Sequence, residues 1–296
     1  MKNKLLSLVL IIEIFSLFII DKPQKNNNKN FNYFVKSVLI NDINESKLEN
    51  YIIGVVAAEM PASFSLEALK SQAVAARTFT YKKVIENNID YDTLASDKGQ
   101  GYITLEQMKN NWKDDFPRNY KIIKDAVLST KGEIITYDNK PINAYYFSMS
   151  NGNTEDSKMV FGEEPYLSVV DSSWDKEISN FSVEKRITSK EFKQKLGLKC
   201  ENIIIDSIKR TSTNHVEEIN ICDNTYSGIE FRKKLDLRST DFDLETDKDH
   251  ILITTRGYGH GVGMSQYGAN YLAQEGKTYK EIIGYYYNNV SIKKIV

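Results

Sequence analysis

Histidine, cysteine and net charge are all scarce in this sequence, and each shortage argues against a class of function. The 296 residues include three histidines (His215, His250 and His260), which do not form the cluster of three ligands that a zinc hydrolase needs. The formal net charge is −1 and no Lys/Arg stripe stands out, which argues against nucleic acid as the main partner. A G-x-S-x-G motif is also missing, so a serine hydrolase is not indicated.

One long apolar run lies at the N-terminus, behind two lysines. Residues 5–20, interrupted by Glu13, would span roughly 24 Å as a helix, somewhat short of a ~30 Å hydrocarbon core. A cleaved signal peptide has the same charged start and apolar run, but no small-residue cleavage site follows, which favours an uncleaved anchor over 1–21. The basic start predicts that the remaining chain lies outside the cytoplasm, with 22–33 as a polar linker.

Residues 46–86 predict two helices that meet at an acidic residue, Glu59. Apolar residues at helical spacing predict the first helix over 46–58, and Pro61 ends its regular hydrogen bonding. Ser65 is a good N-cap for the second helix. The predicted buried face of that second helix consists of Leu66, Leu69, Ala73, Ala76, Thr80 and Val84.

Glu59 has two interpretations, which the residues alone leave open. It is either a structural carboxylate, with Arg77 as its obvious ion-pair partner, or a carboxyl that is desolvated for proton transfer. Burial raises the pKa of a carboxyl toward the range where it can donate a proton at neutral pH. A direct ion pair with Arg77 would have the opposite effect.

A polar segment, YFSMSNGNTEDS (146–157), follows a predicted strand. Hydroxyl and amide side chains are dense there, as in a sugar-binding groove, although an ordinary Asn-Gly turn has the same composition. The side chains concerned are Ser148, Ser150, Asn151 and Thr154. Further along, Trp174 is either a core residue or an aromatic surface on which a sugar stacks, beside Asp171 and Asp175.

A glycine segment, RGYGHGVGMSQYGAN (256–270), holds five of the fifteen glycines of the chain. Such spacing frees the backbone for close approach to a ligand or to another segment. It satisfies neither the dinucleotide-binding pattern nor a phosphate-binding loop. His260 lies inside the segment, as a structural or an accessible histidine, and a helix should begin near Gln266.

The remaining patterns predict a mixed α+β fold, in which helices and antiparallel hairpins carry an inserted, more charged second lobe. Strands are predicted at 35–40 and 249–255, a loop at 90–104, a helix at 119–131 and a hairpin at 132–150; capping boxes begin at Thr104, Thr188, Ser227 and Thr278. The main domain comprises 34–175 and 250–296, with the inserted lobe at 176–249. Cys200 and Cys222 flank a predicted hairpin that turns near 211–215, either as a disulfide or as two free thiols.

The sequence resembles the stage II sporulation protein D family. The stretches that carry the resemblance are VVAAEMPASFSLEALKSQAVAARTF, SMSNGNTEDS, PYLSVVDSSWD, GYGHGVGMSQYGAN and EIIGYYYNNV. They follow one another in the expected order over most of 50–290, behind an N-terminal anchor.

The resemblance implies a membrane-anchored lytic transglycosylase that cuts peptidoglycan between N-acetylmuramic acid and N-acetylglucosamine, on strands without stem peptides. It places the catalytic glutamate at Glu59. The side chains expected to hold substrate are Gln72, Arg77, Ser148, Ser150, Asn151, Thr154, His260, Ser265 and Gln266. No cofactor is expected, and because the stretch before SMSNG lacks Cys and His, the metal ligands of some members are not carried over.

The resemblance also implies partners and a location. The partners would be peptidoglycan glycan strands, a sporulation amidase/endopeptidase and a polytopic membrane protein of the engulfment complex. The chain would be a single-pass protein of the cell membrane, with its bulk between the mother-cell and forespore membranes. Two alternatives to catalysis stay open: a glycan-binding enhancer of a partner amidase, in which Glu59 is structural, and a scaffold for the engulfment complex.

Overall fold

The computed structural model describes residues 45–87, 100–247 and 249–295. The predicted anchor, linker and strand at 35–40 lie outside these residues. Within the described ranges, no helix has the length and apolar character to cross a membrane. Helices and mainly antiparallel sheets make up these ranges, which confirms the predicted α+β class.

The chain forms two compact units. The first extends to Tyr145 and resumes at Ala269, and the second comprises Tyr146–Gly268. The insertion predicted at 176–249 lies inside the second unit, whose residue range begins earlier and ends later in the sequence. The reason is that the polar and glycine segments join this unit through hydrogen bonds between backbone groups of Met149 and Tyr258.

The first unit begins with the two predicted helices, α1 (Glu45–Glu59) and α2 (Leu66–Asn87). The helices are interrupted near Pro61, as predicted, and in the turn between them the N–H of Phe64 donates to the carbonyl of Pro61. Every residue over 71–80 is buried, so α2 is enclosed on all sides there. The predicted buried face holds except at Leu66, the first residue of α2, which is 47% exposed.

Two shorter helices follow, α3 (Leu105–Trp112) and α4 (Phe116–Ser129). Thr104 and Gln107 form the predicted capping box at the start of α3. The rings of Trp112, Phe116 and Tyr120 stack in succession, with centroid separations of 6.4 and 5.4 Å. Phe116 and Tyr120 are four positions apart on α4, which places their side chains on one face of that helix, and Trp112 at the end of α3 stacks on Phe116 across the turn between the helices.

The predicted hairpin at 132–150 forms only in its first half. Strand β1 (Glu133–Tyr137) pairs antiparallel with the short β2 (Lys140–Pro141), around a turn whose two central residues have positive φ. The prediction of a full-length second arm is wrong. One further bond forms, from the Ile142 N–H to the Ile135 carbonyl, but the Ile135 N–H donates to the Thr78 hydroxyl and so leaves the ladder. The later residues Tyr146–Phe147 form a separate strand, β3, that pairs elsewhere.

The second unit contains three sheets and two helices. Its elements after β3 are β4 (Ser182–Thr188), α5 (Ser189–Leu196), β5 (Ile205–Arg210), β6 (Val216–Ile221), β7 (Asn224–Ser227), α6 (Gly228–Leu235), β8 (Phe242–Asp247), β9 (His250–Arg256) and β10 (Met264–Ser265). The sheets have the orders β4-β9-β8 and β5-β6-β7, both antiparallel, and β3 pairs parallel with β10. Their core is apolar and includes Phe192, Phe231 and Phe242, all fully buried.

The two cysteines are joined. Cys200 and Cys222 form a disulfide across the predicted hairpin, which is β5 and β6, and their Cα atoms are 6.0 Å apart. Of the two possibilities that the sequence left open, the structure therefore has the disulfide. It closes a loop with a sequence separation of 22 residues.

The chain returns to the first unit through α7 (Gln266–Gln274), which begins where the sequence predicted. Helix α8 (Tyr279–Tyr286) starts at the predicted capping box of Thr278 and Glu281. The last strand, β11 (Ser291–Lys294), pairs antiparallel with β1 and completes a sheet of order β11-β1-β2. The first unit is therefore closed by the C-terminal end of the chain.

Candidate functional site

Glu59 is the last residue of α1 and its side chain is half-buried. The backbone N–H of Gly101 donates a hydrogen bond of 2.7 Å to its Oε1. The approach is so close that a Cβ at position 101 would lie 2.8 Å from the same oxygen. The partial negative charge of a helix C-terminus disfavours a carboxylate, whereas the Gly101 N–H fixes the orientation of the group.

Arg77 does not pair with Glu59. Its guanidinium is fully buried and forms a bidentate ion pair with Glu49, through bonds of 2.9 Å from Nε and 2.7 Å from Nη2. The remaining donors reach backbone carbonyls, among them those of Val127 and Glu133. The expectation that Arg77 partners Glu59 is therefore wrong, because all of its donors are used inside the first unit. This geometry does not favour a direct sugar contact either.

Gln72 is a buried amide on α2. It has no exposed surface, and neither its oxygen nor its nitrogen has a hydrogen-bond partner among the residues that the structure describes. Leaving a buried amide unpaired costs about 1–3 kcal/mol. Its role in substrate binding stays a prediction.

In the second unit, the polar segment is buried and bonded internally. The Ser150 hydroxyl donates to the Ser172 carbonyl at 3.0 Å. The Asn151 amide donates to Asp241 Oδ2 at 2.8 Å, and the Thr154 hydroxyl accepts from the N–H of Val170. These side chains therefore shape their own unit, and the Asn-Gly turn interpretation accounts for them without a ligand. Ser148 is the half-buried member of the set.

Asp175 joins the polar and glycine segments, and sequence analysis did not single it out as a site residue. Its Oδ2 accepts from the Ser150 N–H at 2.7 Å, the Ser265 hydroxyl at 2.6 Å and the Ser172 hydroxyl at 3.3 Å. Its Oδ1 is buried and has no partner within the described part of the chain. Burial raises the pKa of Asp175 to about 6, against the opposing effect of these hydrogen bonds, led by that from Ser265. Its neighbour Trp174, the predicted stacking surface, is half-buried.

Two histidines of the second unit are held in the neutral form. Burial lowers the pKa of His260 to about 3, and its Nδ1 accepts from the N–H of Val262. The imidazole lies against the rings of Phe147 and Phe161, with centroids 5.7 and 4.9 Å away. Burial also lowers the pKa of His215, whose Nδ1 bonds to the Thr240 hydroxyl at 2.8 Å.

The structure thus groups the predicted residues by unit. Glu59, Gln72 and Arg77 belong to the first unit. The polar and glycine segments meet within the second unit, where Ser148 accepts from the N–H of Tyr267 through its carbonyl and Ser265 donates to Asp175. Gln266 is buried at the start of α7. The sequence signal for Asp175 was its position directly after two serines and Trp174, but spacing alone does not predict which residues it contacts.

Comparison with known proteins connects this geometry to a family. The model of a family described as "Stage II sporulation protein" matches residues 37–137, which include Glu59 and Gly101. Stage II sporulation protein D of Bacillus subtilis (strain 168) is 44% identical over 255 residues, covering 83% of this chain and 74% of that protein. The chain belongs to the stage II sporulation protein D family. The family member of the same name from Bacillus amyloliquefaciens is 42% identical over an equal length.

Membership of the stage II sporulation protein D family assigns the chain to sporulation. A more distant relative, named "Amidase enhancer", from Bacillus subtilis (strain 168), is 28% identical over 299 residues, which cover 81% of this chain and 40% of that protein. The resemblance that the sequence motifs indicated is therefore confirmed at the level of the family.

Proposed function

We propose that the chain is a lytic transglycosylase that cleaves the bond between N-acetylmuramic acid and N-acetylglucosamine in denuded peptidoglycan strands, with Glu59 as its catalytic acid and base. The observation that carries the proposal is the setting of Glu59: a half-buried carboxyl at the end of an apolar helix, whose Oε1 accepts a hydrogen bond from the Gly101 N–H. Arg77 is engaged by Glu49, so no ion pair with Arg77 keeps Glu59 ionised.

A single carboxyl is sufficient for this reaction. Glu59 donates a proton to the glycosidic oxygen as the bond from the muramyl anomeric carbon to that oxygen breaks. The muramyl 6-hydroxyl then attacks the same carbon, and the Glu59 carboxylate takes its proton as the 1,6-anhydro ring closes. Ordinary glycosidases need a second carboxylate, as nucleophile or as the base that activates water.

The test is product analysis by mass spectrometry on denuded glycan strands, with the full-length chain in detergent and a Glu59→Gln variant beside it. We expect anhydromuramyl ends from the wild type and a loss of about two orders of magnitude or more in the variant, because a general acid–base group supplies 10²–10⁴-fold. Glu49→Gln is unsuitable as a control, because it would strand the buried Arg77.

The outcomes separate the possible functions. Reducing ends in place of anhydro ends would mean hydrolysis, and with it a second carboxylate. Unchanged cleavage by Glu59→Gln would remove Glu59 from the chemistry. Glycan binding without cleavage would favour a second candidate function, in which the chain binds glycan but does not cut it.

That second candidate is a glycan-binding enhancer of a partner amidase, which the relative named "Amidase enhancer" favours. In this case Glu59→Gln would leave glycan binding and amidase stimulation unchanged. Within either function, we propose that the chain works outside the cytoplasm behind an N-terminal anchor, with a sporulation amidase and a polytopic membrane protein as partners.

A further inference from the structure

Four residues of the loop predicted at 90–104, Gln100–Ile103, pack onto α1 next to Glu59. We propose that this segment, here called the positioning loop, fixes the Glu59 carboxyl so that Oε2 is the oxygen that transfers the proton. The inference rests on the proposed transglycosylase function. Its starting point is the 2.7 Å hydrogen bond from the Gly101 N–H to Oε1.

The positioning loop is anchored to α1 by an aromatic stack. The Tyr102 ring lies parallel to that of Tyr51, with centroids 5.2 Å apart and an angle of 11° between the planes. Gly54 makes room for it, since a Cβ at that position would lie 2.3 Å from Tyr102 Cε2. The N–H of Ile103 also donates to the Gly54 carbonyl at 3.2 Å. Tyr51 and Gly54 precede Glu59 on the same helix, so loop and carboxyl share one support.

A second anchor ties the loop to α2. The Gln100 side chain is buried, and its amide nitrogen donates to the Thr80 hydroxyl at 2.7 Å. Thr80 itself has no exposed surface. Gly101 therefore lies between two anchored neighbours, Gln100 on α2 and Tyr102 on α1, and the direction of its N–H is set by both helices.

The fixed N–H distinguishes the two carboxyl oxygens. In the protonated acid, the carbonyl oxygen is a stronger hydrogen-bond acceptor than the hydroxyl oxygen, so an N–H donor favours the carbonyl oxygen at the position that it faces. Oε1 is therefore the carbonyl oxygen, and Oε2 carries the proton that moves to the glycosidic oxygen. Oε2 later takes the proton of the 6-hydroxyl, so each reaction cycle returns the carboxyl to its starting state. A loosened loop would misplace this oxygen, and an error of about 1 Å can cost as much as 10²-fold in rate.

The sharpest test uses Thr80, because its hydroxyl accepts the Gln100 hydrogen bond and two substitutions separate that hydroxyl from the shape of the side chain. Thr80→Val keeps the shape and removes the hydroxyl acceptor, whereas Thr80→Ser keeps the hydroxyl. We expect kcat for anhydromuramyl product to fall about fivefold in Thr80→Val, the equivalent of one hydrogen bond, with KM unchanged. Thr80→Ser should retain the wild-type kcat. Equal rates for the two variants, both folded by circular dichroism, would overturn the inference.

A second pair addresses the aromatic anchor. Tyr102→Ala removes the stack on Tyr51, and Tyr102→Phe keeps it, so we expect kcat to fall about tenfold or more in the first and to stay near the wild-type value in the second. A rise in KM without a fall in kcat would show that the loop binds substrate and does not position Glu59. A wild-type chain that fails to cleave at all overturns the transglycosylase proposal itself, and this inference with it.

Discussion

Two buried carboxyls, Glu49 in the first unit and Asp175 in the second, have their charge compensated in different ways. In the first unit, Glu49 faces the guanidinium of Arg77 in a bidentate ion pair. In the second, Asp175 has only hydroxyl and N–H donors, from Ser150, Ser172 and Ser265, and one oxygen without a partner in the described residues. The first carboxyl faces a fixed cation, whereas the second has none, and burial raises its pKa to about 6. The first unit should therefore depend on an ion pair, and the second on proton concentration.

The largest expected effect comes from breaking the ion pair. Arg77→Met removes the cation and leaves Glu49 buried and charged, which should cost about 3–5 kcal/mol of unfolding free energy. Urea denaturation at neutral pH measures the change. The control is the double variant Arg77→Met/Glu49→Leu, which removes both charges and should recover much of the loss. An Arg77→Met protein of wild-type stability would show that the pair is not a source of stability.

Asp175→Asn tests whether the stability of the protein depends on pH through the buried carboxyl of the second unit. The folded-state pKa of Asp175 is raised to about 6, so its contribution to stability is fully present below its ordinary value near 4 and is lost as pH rises through about 6. Between pH 4 and 7 the wild type should therefore lose about 2–2.5 kcal/mol relative to Asp175→Asn, which does not titrate. Denaturation curves at several pH values check this slope. Parallel curves for the two proteins would contradict the raised pKa.

His260 gives a smaller effect of opposite sign. Its pKa is lowered to about 3, so its contribution is present above the ordinary histidine value near 6.5 and is lost as pH falls below it. At pH 5 the loss should be about 1–2 kcal/mol, the lower figure allowing for the partial exposure of the ring. His260→Asn offers an amide oxygen to the N–H of Val262 and should flatten this part of the pH profile. An unchanged melting temperature of the wild type between pH 7 and 5 would argue against a neutral, buried imidazole.

Local patterns predicted the parts of the fold that local interactions determine. The helices on either side of Pro61 and the capping boxes of α3 and α8 depend on neighbouring residues, and the sequence places them correctly. Glu59 falls at a helix end for the same reason. Leu66 was misplaced because helical spacing identifies an apolar face but not how far along the helix the core covers it: Leu66 is exposed, whereas Leu69 is fully buried.

Long-range pairings could not be predicted from the same information. Arg77 was expected to pair with Glu59, at the end of α1. Its partner is instead Glu49, which lies on the same helix and 28 positions before Arg77 in the sequence. Asp175 and Ser265 meet across 90 positions, and the parallel pairing of β3 with β10 has no local signal. Several hydroxyls predicted to hold sugar are used in such contacts, because the composition of a buried polar network resembles that of a sugar-binding groove.

The distribution of tryptophan gives each unit its own optical reporter. The chain has two tryptophans: Trp112, stacked on Phe116 in the first unit, and Trp174, which precedes Asp175 in a short 3-10 turn of the second. A Trp112→Phe variant would emit from the second unit alone, next to a carboxyl that titrates near neutrality. Its fluorescence as a function of pH would follow the ionisation of one buried group in the intact protein, without unfolding it.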